Sequence, residues 1–184
     1  MLLKIVALSL LAGTTAFAVD VSTPAIPVAA DSFGVEIGLM QLAVSLYMLG
    51  YGLAQIPIGL FADYFGRRRT VIVAMTLFAV CGYIASQSET VLLLLAMRFG
   101  QGLFGASGAV ISRAIARDIT DGPATGRLIG LLTATLGVVM IFAPLIGALL
   151  LEQIGWRAPF FASVVFAGVA IIMVMVGIAE TMPP

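Results

Sequence analysis

Long apolar runs separated by short polar clusters set the pattern of this chain. Ile37 to Ala62, Leu128 to Leu151 and Ala158 to Ala179 carry no charged residue, and each exceeds the roughly 20 residues that cross a hydrocarbon core. Thr70 to Ser88 nearly matches that length, and Ile5 to Ala30 and Thr90 to Ser112 are each interrupted by one ionisable residue within the apolar run, Asp20 and Arg98. The pattern predicts an all-α integral membrane protein, with helices over about 5-30, 37-62, 70-88, 90-114, 128-151 and 158-179 forming a single domain over 1-184.

Composition agrees. With 61% hydrophobic and 10% charged residues and a mean hydropathy of +1.17, the chain lies far from soluble domains, which carry about 25% charge. Net charge is zero, but the charges are sorted by position. Lys4, Arg67, Arg68, Arg69, Arg113, Arg117 and Arg127 fall on one side of the predicted spans, and Arg157 falls on the other beside Asp31, Glu36, Glu89 and Glu152. Because Lys and Arg in short connections resist translocation, both termini are expected in the cytoplasm.

Met1 to Lys4, the apolar Ile5 to Ala16 and the triplet Ala16-Phe17-Ala18 also fit a secretory signal with a small-residue cleavage site. Cleavage would leave five helices and put Asp20 in an aqueous segment. The single Cys81 falls inside the third span, so no disulfide forms within one chain.

Candidate chemistry lies in the interruptions. An ionised side chain at the bilayer centre costs at least about 2.5 to 3.5 kcal/mol on insertion scales, so Asp20 and Arg98 are expected to pair or to serve function. At 1.5 Å per residue from the outer helix ends, Asp20 lies about 15 Å deep and Arg98 about 12 Å, so the two are expected to attract each other near the midplane. This predicts Asp20 as a proton-exchanging carboxylate and Arg98 as its counter-ion, against the simpler alternative of a static pair locking two helices. Tyr47, Tyr51 and Gln55 recur every four residues on the second span, and Tyr47 falls level with Asp20 and Arg98, so a shared polar cavity is expected. For Tyr51 and Gln55, bonding to neighbouring helices is an equal alternative.

Pro24 and Pro27 are expected to interrupt the first span just beyond Asp20, freeing carbonyls that only protein or a wet cavity can satisfy. Gly102, Gly105, Ala106, Gly108 and Ala109 place small residues three and four apart on the fourth span, which permits close helix packing. Between the second and third spans, Gly59 to Arg69 crowds Asp63 and three arginines into a surface hairpin. The arginines suffice to hold that loop in the cytoplasm, and Asp63 adds a carboxylate able to latch onto Arg67 or exposed N–H groups.

This hairpin, G-x-x-A-D-x-x-G-R-R-R, closely resembles the loop between the second and third helices of the major facilitator superfamily. Arg98-Phe-Gly-Gln101-Gly102 with Ala106 resembles that family's helix-four pattern, and Ala143-Pro144-Leu-Ile-Gly147-Ala148 its helix-five G-P-x-x-G-G. Asp20-Val-Ser-Thr-Pro24, Tyr47, Gln55 and Gly155-Trp156-Arg157 further resemble multidrug proton antiporters of the bicyclomycin and chloramphenicol resistance type. The resemblance implies a 3+3 inverted repeat of six helices, one half of the family's fold, in a bacterial inner membrane. It implies Asp20 as the protonatable acid facing the substrate cavity and Arg98 as proton-relay partner; with the stripe on the second span and Gln101 beside Arg98, the expected cavity takes in Asp20, Tyr47, Tyr51, Gln55, Arg98 and Gln101. It further implies a cytoplasmic gate of Asp63, Gly66, Arg67 and Arg68, and a bend at Pro144 and Gly147. Ala143 and Ala148 stand where the family carries glycines, and Tyr64 stands where it carries a basic residue.

The family's carriers usually have twelve helices in two parallel halves. The expected partners are therefore a small-molecule substrate, protons, the lipid bilayer, and either a second copy of the chain in a parallel homodimer or a missing C-terminal half. Two functions stand against each other: proton-coupled export of small amphipathic or cationic compounds, and a non-transporting scaffold built on the same unit. With no histidine, no metal-ligand cluster and no phosphate-cradling loop, no enzyme, cofactor or metal is expected. No nucleic-acid partner is expected either, since topology accounts for the basic residues.

Overall fold

The computed structural model describes residues 2–181, and among them it contains helices and turns with no strand. Helix α1 (Leu2–Ser22) continues through a 3-10 turn (Thr23–Ala25) into α2 (Ile26–Phe33), and these together make the first span. The remaining spans are α3 (Ile37–Phe65), α4 (Arg67–Ser86), α5 (Val91–Ile119), α6 (Pro123–Gln153) and α7 (Arg157–Gly177). Among the described residues, six helical segments are thus long and apolar enough to cross a membrane.

The expected break at Pro24 and Pro27 is present. Proline at 24 removes the N–H that would bond the Asp20 carbonyl. The hydroxyl of Ser22 donates to the carbonyls of Ala18 and Val19, and that of Thr23 to Val19. The fourth and fifth spans run longer than the apolar runs alone suggest: α5 continues to Ile119 and α6 begins at Pro123, leaving a connection of Thr120, Asp121 and Gly122. Helical hydrogen bonding does not stop where the hydrocarbon does, so Arg113, Arg117 and Arg127 are carried on helix ends with long stems that reach polar surroundings. Pro123 occupies the first turn of α6, where a missing N–H costs nothing.

The packing repeats itself. As α3 packs on α5, so α6 packs on α1; as α4 packs on α5, so α7 packs on α1; and the α1–α5 and α4–α7 contacts each join a span to its own counterpart. Exchanging the first three spans for the last three preserves every one of these contacts, as the expected 3+3 inverted repeat requires. With little hydrophobic force between helices in lipid, close backbone approach holds them. A Cβ at Gly102 would fall on the Tyr47 carbonyl between α5 and α3, and one at Gly147 on the Val21 carbonyl between α6 and α1. The small-residue row on α5 is accordingly buried in packing.

Candidate functional site

Arg98 is fully buried at the centre of the bundle. Its Nη1 donates to Gln101 Oε1 at 2.7 Å and to the Ala18 carbonyl at 3.5 Å, and its Nη2 donates to Ser22 Oγ at 3.2 Å. The guanidinium lies 4.5 Å from the centroid of the Tyr47 ring and 5.6 Å from that of Phe160. Gln101 passes the chain on, with Nε2 donating to Ser163 Oγ at 2.9 Å, and Ser163 donating to the Phe160 carbonyl. One arginine thus ties α1, α3, α5 and α7 together through hydrogen bonds and ring faces, while its Nε has no partner.

The expected ion pair between Arg98 and Asp20 is not formed: no oxygen of Asp20 lies within 4.0 Å of the guanidinium, since the only ion pairs among the described residues involve Arg67. The reason is azimuth. Arg98 engages α1 at Ala18 and Ser22, which lie one above the other four residues apart. Asp20 follows Ala18 by two positions, about 200° around the helix, so it faces the other way. The carboxylate is half-buried, with Oδ2 shielded from solvent and without a hydrogen-bond partner.

The six expected cavity residues also divide. Tyr47, Arg98 and Gln101 are fully buried inside the bundle, whereas Tyr51 is half-buried and Gln55 exposed. Four-residue spacing exceeds the 3.6-residue turn, so each step along α3 advances about 40°, and the stripe winds from the interior at Tyr47 to the surface at Gln55. The Tyr47 hydroxyl is buried beside Gly105.

At the arginine-rich end the hairpin residues come together. Gly66, at φ 96°, lets α3 turn directly into α4, and Arg67 forms an ion pair with Asp63 one turn earlier and contacts Asp118 Oδ2 of α5 at 3.3 Å. Glu180, beyond α7, accepts from the backbone N–H of Arg67 at 2.8 Å and of Arg68 at 3.4 Å. A carboxylate is therefore seated on the N-terminus of α4, where free N–H groups and the helix dipole favour negative charge. A Cβ at position 66 would strike that carboxylate. Arg68 donates to the Met175 carbonyl at 3.0 Å, and Thr181 Oγ1 donates to Asp118 Oδ2 at 3.0 Å. Sequence reasoning missed Asp118 and Glu180 here, and Ser22, Phe160 and Ser163 around Arg98. Glu180 carried a signal, as the first acid after the last apolar span on the arginine-rich side.

Pro144 lies inside α6, which is helical from Pro123 to Gln153, and Gly147 with buried Ala143 packs against Phe17 and Val21 of α1. The small residues of that motif therefore serve the α1–α6 contact.

The chain is 32% identical to multidrug resistance protein D of Escherichia coli (strain K12) and 28% identical to the uncharacterized MFS-type transporter YdgK of Bacillus subtilis, in each case over 90% of this chain and 42% of the relative. It spans less than half the length of these relatives. Among solved structures, the proton:xylose symporter XylE superposes with a TM-score of 0.86 at 14% identity, over 98% of this chain and 45% of that one. The family model described as Major Facilitator Superfamily matches residues 8–184. With six apolar spans packed in an inverted repeat and this match along nearly its whole length, the chain is a multi-pass membrane protein belonging to the major facilitator superfamily of transporters.

Proposed function

We propose that this chain is a six-helix half of a secondary active carrier that exports small amphipathic or cationic compounds in exchange for protons. The observation that carries this reading is Asp20, a half-buried carboxylate within a membrane span, with Oδ2 shielded and unpartnered, turned away from the buried cation Arg98. A carboxylate at such a position is costly unless a proton or a cation neutralises it. One carboxylate serves either the proton or a cationic cargo, never both, and that exclusion is the basis of antiport. Open to the outside, Asp20 takes a proton and releases its cargo; open to the cytoplasm, it loses the proton and accepts another cargo.

In this reading Arg98 acts through α1. Its bonds to Ala18 and Ser22 hold the helix that carries Asp20 against α5 and α7, so the carboxylate moves with a rigid unit. Tyr51 and Gln55 remain the cavity candidates on α3. Asp63, Gly66, Arg67 and Arg68, joined by Asp118 and Glu180, form a gate at an end assigned to the cytoplasm, together with both termini, by the positive-inside rule. Either a second copy in parallel or a C-terminal half completes the cavity, in a bacterial inner membrane. The similarity to multidrug resistance protein D of E. coli supports a drug-like cargo, and family membership favours transport over the scaffold alternative.

The direct test is efflux of a fluorescent lipophilic cation from proteoliposomes under an imposed pH gradient, with the oligomer mass measured in mild detergent. Gradient-dependent flux by a dimer is expected. A well-formed dimer whose flux ignores the gradient would overturn proton coupling.

A further inference from the structure

Two cavities lie outside the polar centre, and the inverted repeat relates them. One, of about 630 Å³, opens between α3 and α4 with α5 as its floor, lined by Pro57, Phe61, Phe65, Arg69, Val73 and Phe104 among others. The other, of about 420 Å³, opens between α6 and α7 with α1 as its floor, lined by Phe17, Leu150, Phe161 and Val165 among others. Each occupies the crotch of a tight hairpin, at Gly66 and at Gly155 respectively, where two consecutive helices pack on a third rather than closely on each other. In the larger one, Pro57 also withholds a helical hydrogen bond from α3 beside the opening.

Their chemistry differs at one end. No lining residue of the smaller cavity carries a polar side chain, and nearby Arg157 is occupied, donating to the Ser88 carbonyl at 3.0 Å and lying 4.3 Å from the Trp156 ring centroid. The larger cavity holds Arg69 and Thr70. Arg67 is taken by Asp63 and Asp118, and Arg68 by the Met175 carbonyl, but Arg69 is exposed and has no ion-pair or hydrogen-bond partner among the described residues. It stands in the first turn of α4, and the apolar lining continues one and two turns deeper at Val73 and Leu77. A cation thus sits where the hydrocarbon ends, above a chain-sized apolar slot of ordinary ligand-pocket volume.

We propose that this slot holds one acyl chain of an anionic phospholipid, with the headgroup phosphate against Arg69. Charge complementarity identifies the occupant: a neutral apolar helix would leave Arg69 unanswered, and, resting on the orientation proposed above, the arginine-rich end faces the leaflet surface on which anionic lipid attracts basic residues. The smaller cavity is a built-in control, with the same architecture and no free cation.

The test is native mass spectrometry of the full chain released from nanodiscs containing equal phosphatidylglycerol and phosphatidylcholine with identical acyl chains. Phosphatidylglycerol is expected to be retained preferentially. Arg69→Gln should lower that preference by roughly fivefold, the scale of one basic residue at an anionic surface, and Arg157→Gln should leave it unchanged. Val73→Trp, which fills the slot, should remove one bound lipid without altering the mass of the protein assembly. Equal retention of the two lipids, a preference that survives Arg69→Gln, or a lipid-free dimer sealed through this face would overturn the proposal.

Discussion

The guanidinium of Arg98 rests 4.5 Å from the centroid of the Tyr47 ring, and this contact stands where a carboxylate partner was expected. With no side chain of Arg98 exposed, the charge is compensated by the ring faces of Tyr47 and Phe160, the Gln101 amide, the Ser22 hydroxyl and the Ala18 carbonyl. A cation–π contact removed from water contributes about 2 kcal/mol. Tyr47→Leu should therefore lower the thermal unfolding midpoint of the detergent-solubilised protein, and Arg98→Lys, which cannot reproduce the planar fork, should lower it further. A midpoint unchanged in both variants would show that the arginine does not hold the bundle.

Asp20 offers the opposite case. Because its Oδ2 has no partner, Asp20→Asn removes no hydrogen bond or ion pair from the folded unit. The variant is expected to unfold at the wild-type temperature while losing cation efflux driven by a pH gradient. Loss of stability with flux retained would mark a structural carboxylate.

The ion pair of Asp63 with Arg67 sits at a surface, with the Asp63 side chain 57% exposed, so its stabilising effect is small, about 1 kcal/mol or less. Asp63→Asn should insert normally and slow transport in reconstituted vesicles by weakening a gate rather than the fold. Unchanged turnover counts against the latch.

Glu180 should behave differently, because it satisfies backbone donors at the start of α4. Capping interactions of this kind contribute about 0.5 to 2 kcal/mol. Glu180→Gln is expected to raise amide hydrogen exchange at Arg67 and Arg68 and leave the middle of α5 unaffected. Equal exchange in both proteins would remove the cap.

Gly102→Ala would place a methyl group on the Tyr47 carbonyl, and overpacking of that kind costs about 1 to 3 kcal/mol. Gly52→Ala, which meets nothing within 4 Å, should be neutral or slightly stabilising. Comparing the two unfolding midpoints isolates packing from helix propensity.

Depth in the membrane was legible in the linear chain, because every helical residue advances 1.5 Å whatever surrounds it. Hence the six spans, the break at Pro24, and the common level of Asp20, Tyr47 and Arg98 could be read by counting, and the motifs around Asp63, Arg98 and Pro144 carried the family. Direction around each helix axis was not legible. Apolar residues cover nearly the whole circumference of these helices, so no polar face announces which side meets a neighbour and which meets lipid.

Only the packed bundle decided that Arg98 reaches the Ser22 side of α1 and leaves Asp20 on the other, and that Tyr47 turns inward while Gln55 turns out. Only packing brought Glu180 back across 113 residues to Arg67, since that contact depends on α7 lying beside α4. Spacing along one helix determines height; the close backbone approaches at Gly102 and Gly147 determine rotation, and rotation separates the buried cation from the free carboxylate.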